Sequence, residues 1–298
     1  MNFLELAEVL RTKSRSELDF QQDNLFYHIS YDSDLRDLLD IMQEEVVLLL
    51  TDTNVNVKIA LMTEMPRLCV FFGRNRTCDV LLSHMITYLN DCDWELRISF
   101  CEAIVGVGTF VGSRTLEEFI LPVMIQALTD TQEFVVEKIL NSFTSLTEIG
   151  LVEKAKLKEL AHLIIPLLMH PNHWIRVAAV GFVAVCAKIL PQIDVKCVIY
   201  PLLSPFAQFK NPTLDEINIL ESLKPCISRQ VYEHLIDFAF KNTHADPIHT
   251  TGYLERYDNN LCSILVSQLK EMGIDDDDKK NLYAMKHYIS KSATFRMR

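Results

Sequence analysis

Glycine and proline are scarce in this sequence of 298 residues, which contains 8 glycines and 10 prolines. Both residues are frequent in turns and loops, so their scarcity predicts short loops. Both are also abundant in fibrous and low-complexity chains, so their scarcity excludes a collagen-like protein. Hydrophobic residues make up 49% of the chain, well above the content of disordered proteins. The composition therefore predicts a folded chain that is rich in regular secondary structure.

No two cysteines are separated by two residues, although the chain contains 8 cysteines: Cys69, Cys78, Cys92, Cys101, Cys186, Cys197, Cys226 and Cys262. Without a C-x-x-C pair, the chain lacks the usual signature of zinc ribbons and thiol oxidoreductases. Most of the cysteines lie among apolar residues. We therefore expect them to be reduced and to act as small hydrophobic side chains in a cytosolic protein.

Long hydrophobic segments are also missing. The longest uncharged apolar run, residues 177–187, is too short to span a bilayer and is flanked by Arg176 and Lys188. The opening residues show neither a secretory signal pattern nor a glycine at position 2, so we expect no signal peptide and no myristoylation. The sequence predicts a soluble protein without direct membrane insertion.

Positive charge is in deficit, with 29 Lys and Arg residues against 40 Asp and Glu residues and a formal net charge of −11. The negative electrostatic potential of such a chain repels nucleic acid and anionic lipid. The charge balance therefore favours protein partners and predicts no nucleic-acid binding. Only the basic stretch 286–298 leaves a membrane-binding hypothesis open.

The motifs of common enzymes are absent as well. The chain contains no H-R-D or D-F-G triplet and no G-x-S-x-G sequence. Gly106 and Gly108 superficially resemble a nucleotide loop, but they follow no strand, and close helix packing is the expected role. His170 and His173 lie in a turn without a nearby cysteine or acid to complete a metal site. We expect no catalytic residue, no cofactor and no metal.

What the chain does contain is a block that returns about every 39 residues. Apolar stretches end at four anchor positions, Asp52, Asp91, Asp130 and His170, with spacings of 39, 39 and 40 residues. A branched aliphatic residue follows each anchor by five positions: Val57, Leu96, Val135 and Ile175. A period near 40 built from two amphipathic helices predicts an all-α fold, an α-solenoid of HEAT or armadillo type.

Hydrophobic periodicity places the two helices of each repeat. In the first repeat, helix A is predicted near Asp34–Leu50 and helix B near Asn54–Phe72. Glycines are predicted to end the first three B helices: Gly73, Gly112 and Gly150. The pattern decays after Pro191 into further helices, which are predicted near residues 200–206, 214–223, 229–241, 259–272 and 275–291.

These observations predict four segments along the chain. Residues 1–30 are expected to form the end of a preceding element and a linker. Residues 31–191 are expected to form four HEAT-like repeats. A degenerate fifth repeat with a loop is expected at 192–257, and C-terminal helices with a tail at 258–298.

The charged residues around the anchors predict a structural ladder between repeats. Six positions past the anchor the residue is basic in three repeats, and Val136 is the exception. An Asp at a helix N-terminus accepts backbone N–H groups, and a neighbouring cation neutralises it, each contact contributing about 1 kcal/mol. The predicted members of the ladder are Asp52, Lys58, Asp91, Arg97, Asp130 and Arg176.

Trp94 and Trp174 both lie near the start of a B helix. Tryptophan is a frequent anchor at protein interfaces, so both residues are candidate partner contacts. The alternative, which the sequence favours, is that they pack on the adjacent repeat.

Two stretches go beyond a generic repeat pattern. Residues 67–74 (RLCVFFGR) and 79–91 (DVLLSHMITYLND) resemble the helical-repeat region of the large regulatory subunit of class III phosphatidylinositol 3-kinase, the pseudokinase-like vacuolar protein-sorting subunit. Residues 170–176 (HPNHWIR), 179–182 (AVGF) and the tail 282–292 are similar to it too. The resemblance covers roughly residues 31–292.

The resemblance implies a non-catalytic scaffold that holds the lipid kinase catalytic subunit together with Beclin-type coiled-coil subunits. Such complexes make phosphatidylinositol 3-phosphate for autophagy and endosomal sorting, which implies a cytoplasmic protein that reaches those membranes peripherally, through the complex. The family's kinase-like domain and WD-repeat propeller have no counterpart in this sequence, so we expect no kinase activity. An unrelated HEAT scaffold, of phosphatase or transport-receptor type, remains the alternative.

Overall fold

The computed structural model describes residues 25–209 and 213–243, together with Met285, Tyr288, Ile289, Lys291 and Ser292. The predicted linker before residue 25 and the helices predicted at 259–272 and at the start of 275–291 lie outside the described residues. The chain divides into two compact units, residues 1–49 and 50–298.

The first unit contains nearly all of α1, Leu25–Leu50. This helix begins nine residues before the predicted start at Asp34. The reason is local, because residues 25–33 contain neither glycine nor proline and nothing in the backbone interrupts the helix before Asp34. Inside the helix the Arg36 Nε group donates a hydrogen bond to the Asp32 carbonyl oxygen at 2.9 Å.

The second unit continues as short and long helices in alternation. The α-helices are α2 Val55–Arg76, α3 Leu82–Thr87, α4 Trp94–Val111, α5 Ser113–Thr115, α6 Leu121–Ala127, α7 Glu133–Glu148, α8 Lys154–Ile164, α9 His173–Ile189, α10 Gln192–Asp194, α11 Tyr200–Leu203, α12 Glu216–Ser222 and α13 Arg229–Thr243. The long helices α2, α4, α7 and α9 are the predicted B helices.

The A helices are less regular than the periodicity predicted. Three of them contain a π-helical turn, at Thr77–Leu81, Leu116–Ile120 and Val195–Ile199. The fourth repeat has a 3₁₀ segment instead, at Ile165–Met169. Apolar spacing of three and four residues does not distinguish these local windings from an α-helix, so the sequence pattern missed them.

Glycines interrupt or end the B helices where the sequence predicted. Gly73, Gly112 and Gly150 have φ angles of 82°, 88° and 80°, a left-handed backbone that favours glycine. After α7, Gly150 N–H donates to the Thr147 carbonyl at 2.9 Å and Leu151 N–H donates to the Leu146 carbonyl at 3.0 Å. This pair of bonds is a Schellman motif, which satisfies carbonyls at the end of the helix.

The B helices pack against one another in chain order: α2 on α4, α4 on α7, and α7 on α9. Large side chains fill the contacts, and the fully buried rings of Phe143 and Phe182 lie 6.5 Å apart between α7 and α9. Helices α2 and α4 are in close contact at Gly106, where a Cβ would lie 2.8 Å from the Pro66 ring. This stacking of helical hairpins confirms the predicted all-α solenoid.

Between Pro191 and Ser222 the helices are short, because α10, α11 and α12 have 3, 4 and 7 residues. Helix α12 is shorter than the predicted 214–223, because the chain leaves the helix to form an isolated antiparallel bridge between Ala207 and Leu223. Around this bridge the Lys224 N–H donates to the Phe206 carbonyl at 2.9 Å. The bridge satisfies backbone groups that a longer helix would otherwise have satisfied.

The buried cysteines lie within the helix contacts. Burial raises the pKa of Cys69 to about 11 and the pKa of both Cys101 and Cys186 to about 12, so these thiols stay protonated near neutral pH. Within the described part of the chain, none of the helices combines the length and the apolar character that crossing a membrane requires.

Candidate interaction surface at the inter-helix turns

The four anchor positions form the same turn in each repeat. Each anchor side chain accepts a hydrogen bond from the backbone N–H two residues later. Asp52, Asp91 and Asp130 accept through Oδ1 at 2.7, 3.0 and 2.8 Å. His170 accepts through Nδ1 at 3.0 Å, so its imidazole nitrogen takes the place of a carboxylate oxygen. The turn geometry is therefore conserved although the anchor changes from acid to imidazole.

In three of the repeats, the residue two positions after the anchor, whose N–H donates to the anchor side chain, is also the N-cap of the following helix. Asn54 caps α2 by accepting from the Asn56 N–H at 3.0 Å, and Asp93 caps α4 by accepting from the Glu95 N–H at 2.8 Å. Asn172 caps α9 by accepting from the Trp174 N–H at 2.9 Å. Caps of this kind fix where each B helix begins, which aligns the first turns of successive helices.

Arg97 and Asp130 join the second and third repeats through a buried ion pair. The guanidinium donates from Nε to Asp130 Oδ2 at 2.7 Å and from Nη2 to Asp130 Oδ1 at 2.9 Å. The two side chains are only 8% and 0% exposed. Arg97 Nη1 also donates to the Asp91 and Cys92 carbonyls at 2.7 and 3.2 Å, so one side chain bonds the turns of two repeats.

A weaker pair joins the first and second repeats. Lys58 Nζ lies 3.6 Å from Asp91 Oδ2, with 17% and 26% of the two side chains exposed. The same ammonium lies 5.7 Å from the centre of the Tyr88 ring, whose hydroxyl donates to the Leu50 carbonyl at 2.6 Å. Burial and, to a smaller extent, the charge of Asp91 raise the pKa of Tyr88 to about 12. The pairing again links the cation of one repeat to the anchor of the next.

Arg176 bonds the carbonyls of its own turn as Arg97 does, but it makes no ion pair with a following repeat among the described residues. It donates through Nη1 to the His170 and Pro171 carbonyls at 2.7 and 2.9 Å, as Arg97 does to its own turn. Within the described residues, no carboxylate of a following repeat lies within ion-pair distance of Arg176. The ladder residues thus fall into two bonded pairs, with Asp52 at one end and Arg176 at the other.

Between the third and fourth repeats a different set of residues makes the connection. Val136 and His170, which occupy the ladder positions there, are both buried. Their place is taken by Glu133, whose carboxylate accepts from Asn172 Nδ2 at 2.6 Å and forms a two-point contact with the Arg229 guanidinium. Burial alone would raise the pKa of Glu133, but the hydrogen bonds from Arg229 and Asn172 lower it below its ordinary value.

His170 is enclosed by aromatic side chains from α13 and from the C-terminal segment. Its ring centre lies 4.7 Å from that of Tyr232 and 6.2 Å from that of Tyr288. Burial lowers the pKa of His170 to about 4, so the imidazole is neutral near pH 7. Because Nδ1 accepts from Asn172, Nε2 carries the proton, and it has no partner among the residues that the structure describes. A cavity of about 270 Å³ lies beside this cluster, lined by residues that include Glu133, Phe134 and Glu233.

Three large aromatic side chains are exposed in the first turns of α4, α7 and α9, at the first helical position in α4 and at the second in α7 and α9. Trp94, Phe134 and Trp174 are 39%, 56% and 63% exposed, and they are 40 residues apart. The rings of Trp94 and Phe134 lie 6.1 Å apart and tilted by 31°, so Trp94 contacts the adjacent repeat while remaining half exposed. Trp174 contacts the His173 ring at 6.1 Å. We call these three residues the aromatic stripe.

The sequence pointed to two members of this surface and missed the rest. Phe134 escaped notice because phenylalanine is common in helices, although its spacing of 40 residues from both tryptophans was a usable signal. Glu133 and Arg229 are 96 residues apart and share no motif. Within the described part of the chain, no group of histidine, cysteine or acidic side chains is arranged to hold a metal ion. His170 lies in the turn, and His173 is the first residue of α9.

The stacked hairpins, the repeated turns and the pairs that connect them define a helical-repeat protein. Comparison with known families gives the relationship: the family described as "PIK3R4-like, middle domain" matches residues 1–236. The chain belongs to this family of class III phosphatidylinositol 3-kinase regulatory subunits, as the resemblance of its sequence motifs indicated.

Curated relatives agree with this assignment. A protein of Dictyostelium discoideum named "Probable serine/threonine-protein kinase vps15" is 38% identical over 252 residues, which cover 80% of this chain and 13% of that protein. "Serine/threonine-protein kinase VPS15" of Saccharomyces cerevisiae is 34% identical over 263 residues, covering 87% of this chain and 18% of that protein. The chain therefore spans less than a fifth of the length of these two relatives.

Proposed function

We propose that this chain is a non-catalytic scaffold segment of a class III phosphatidylinositol 3-kinase complex and supports the production of phosphatidylinositol 3-phosphate in autophagy and endosomal sorting. Membership of the family's middle-domain region over residues 1–236 is the observation that carries the proposal. The physical arrangement supports it, because solenoids offer extended surfaces on which other proteins assemble.

The ladder gives such a scaffold a defined geometry. The Arg97–Asp130 pair is buried and bidentate, so a change in the distance between these two repeats would leave a charged group without its partner. The Glu133–Asn172–Arg229 contacts do the same between the third and fourth repeats. Partners that bind across several turns therefore meet side chains at fixed separations.

The proposed partners are the lipid kinase catalytic subunit and the Beclin-type subunits. Their binding would place the chain in the cytoplasm and, through the complex, at endosomal and autophagic membranes. The net charge of −11 supports attachment through proteins, because the chain itself repels anionic lipid.

The relatives are named as protein kinases, and we propose that this segment contributes no phosphoryl transfer. Its sequence has no H-R-D or D-F-G triplet to hold a catalytic base or a nucleotide-bound metal. Equilibrium binding of a fluorescent ATP analogue, with and without magnesium, tests the point. Saturable binding that unlabelled ATP reverses would contradict it.

The scaffold role is tested by retention of the lipid kinase catalytic subunit on the immobilised chain at moderate salt, with and without the Beclin-type subunit. We expect retention at a fixed stoichiometry. The chain must be helical by circular dichroism and monodisperse before use. Failure of a folded chain to retain either subunit would contradict the proposal.

A further inference from the structure

We infer that the aromatic stripe and the turns beneath it bind an extended partner segment in which arginine or lysine recurs at about every third residue. The surface consists of Trp94, Phe134 and Trp174 on the four turn segments 51–58, 90–97, 129–136 and 169–176, together called the turn edge. This inference rests on the proposed function, because it names the surface and the chemistry by which the scaffold holds one of its partners.

Contacts between neighbouring repeats place these segments side by side. Lys58 contacts Asp91 and Arg97 contacts Asp130, which joins the first three turns. Asn172 donates to Glu133, the residue before Phe134, which joins the third turn to the fourth. The stripe therefore runs across the helices, with one ring contributed by each of three successive repeats.

The charge of the turn edge selects a basic occupant. Its four segments contain six carboxylates (Asp52, Asp91, Asp93, Glu95, Asp130 and Glu133) and three cations (Lys58, Arg97 and Arg176), a formal net charge of −3. All three cations are engaged, with carboxylates or with backbone carbonyls. The carboxylates of Asp52, Asp93 and Glu95 have no cation within 4.0 Å among the described residues. Unpaired negative charge therefore lies beside Trp94 and one turn from Phe134, while the Glu133 carboxylate on the turn next to Trp174 is already bonded by Arg229.

Aromatic rings add the second part of the recognition. Indole and phenyl faces attract ammonium and guanidinium groups and pack against the aliphatic stems of lysine and arginine. Trp94 and Phe134, with ring centres 6.1 Å apart, form one platform, and Trp174 lies one repeat further along. An acidic peptide would gain neither contact and would be repelled by the carboxylates.

Repeat spacing determines the conformation of the occupant. Packed helices lie about 8–10 Å apart, and a polyproline II segment advances about 9 Å per turn of three residues. A basic side chain at every third position would therefore meet successive turns in register. An anionic membrane is disfavoured, because the turn edge carries the same sign of charge as the lipid.

The chain provides its own reporter for this surface, since its 2 tryptophans are both in the stripe. The probe is a synthetic peptide that repeats arginine, leucine and proline, and the control peptide has glutamate in place of each arginine. Titration of the full chain with the arginine peptide is expected to shift tryptophan emission to shorter wavelength and to reduce quenching by acrylamide. The response should weaken as salt is raised.

Variants separate specific docking from general charge attraction. Replacement of Trp94, Phe134 and Trp174 by alanine removes the reporter, so the peptide then carries a dye and binding is read by anisotropy. We expect about two- to fivefold weaker binding for each ring removed, and more than about tenfold for all three. The matched control replaces three exposed apolar residues elsewhere, Val70, Phe119 and Ile193, by alanine and should bind as the parent chain does.

Two results would overturn the inference: equal affinity of the stripe variant and the control variant, or preference for the glutamate peptide. If the triple variant does not fold, single replacements and Glu95→Lys, which should also weaken binding, answer the same question.

Subunit retention distinguishes the two proposals. Equal retention of the catalytic subunit by both triple variants removes the inference and leaves the scaffold role. Binding of the arginine peptide by a chain that retains no subunit removes the scaffold role alone.

Discussion

Arg97 and Asp130 form a two-point ion pair across neighbouring repeats, with donor–acceptor distances of 2.7 and 2.9 Å and almost no exposure of either side chain. The same guanidinium bonds two carbonyls of its own turn. Removing it therefore leaves a buried carboxylate and two carbonyl oxygens without their donor, which is more costly than losing a surface ion pair.

Arg97→Ala is expected to lower the free energy of unfolding by about 3–5 kcal/mol, because a buried charge loses its partner. Lys58→Ala is the matched control, since it removes the cation from the equivalent but more exposed pair, and we expect a loss below about 1 kcal/mol. Urea denaturation followed by circular dichroism measures both. Similar losses in the two variants would show that burial of the Arg97 pair has no special effect.

Val136 and His170 occupy the positions at which the next ladder pair would lie. Introducing Val136→Arg or His170→Asp alone buries a charge without a partner and should destabilise the fold. Together they should form the missing pair, with a favourable coupling free energy of about 0.5–3 kcal/mol in a double-mutant cycle. Val136→Arg combined with His170→Asn provides the uncharged control, in which we expect little or no coupling. Strict additivity of the two charged substitutions would contradict the equivalence of the positions.

Gly106 and Gly181 give a second matched pair, because both lie inside B helices. A Cβ at position 106 would approach Pro66 to 2.8 Å, whereas nothing lies within 4 Å of one at position 181. Gly106→Ala should destabilise by about 1–3 kcal/mol through overpacking. Gly181→Ala should stabilise by about 0.5–1 kcal/mol, because alanine has the higher helix propensity. Thermal unfolding of the two variants gives the signs, and a gain for Gly106→Ala would mean that α2 and α4 are not in close contact there.

Acidification should destabilise the chain through His170. Burial lowers the pKa of this residue from 6.5 to about 4, so the unfolded chain takes up the proton first as the pH falls. Stability is unaffected by this group above about pH 6.5 and falls between 6.5 and about 4, by an amount on the order of 3 kcal/mol. His170→Asn keeps an acceptor for the Asn172 N–H and should remove this loss. Glu133, whose pKa is lowered in the fold, adds a loss at more acidic pH in both proteins. Identical pH profiles between 6.5 and 5 would contradict the assignment.

Much of this fold was accessible from the sequence because the repeat itself is a strong signal. Anchor residues at intervals of 39 and 40 predicted the hairpins, and Gly73, Gly112 and Gly150 predicted breaks and ends in helices through their freedom to adopt positive φ. The sequence could not show whether each ladder cation pairs with the anchor of its own repeat or with that of the next. Arg97 is 6 residues from Asp91 and 33 from Asp130, and only packing decides which carboxylate it meets.

The remaining features depend on tertiary contacts that leave no local trace. The π-helical turns have the same apolar spacing as α-helices, so periodicity cannot reveal them. Arg229 reaches Glu133 across 96 residues because α13 returns to the turns of the third and fourth repeats. In the sequence, His170 interrupts the pattern of acidic anchors. In the structure, its Nδ1 accepts the Asn172 N–H as the anchor carboxylates accept theirs, so the turn is preserved.

Hydrogen–deuterium exchange of the chain, alone and with the class III lipid kinase catalytic subunit and its Beclin-type partner, tests the scaffold account most directly. Amides in the first turns of α4, α7 and α9 lie beneath the aromatic stripe and should exchange more slowly in the complex. Residues around Phe119, away from the turn edge, should be unchanged and serve as the internal control. Slower exchange at residues 90–97, 129–136 and 169–176 is the result expected from a scaffold that binds through this edge. Unchanged exchange throughout the chain, at subunit concentrations that saturate the complex, would contradict the account.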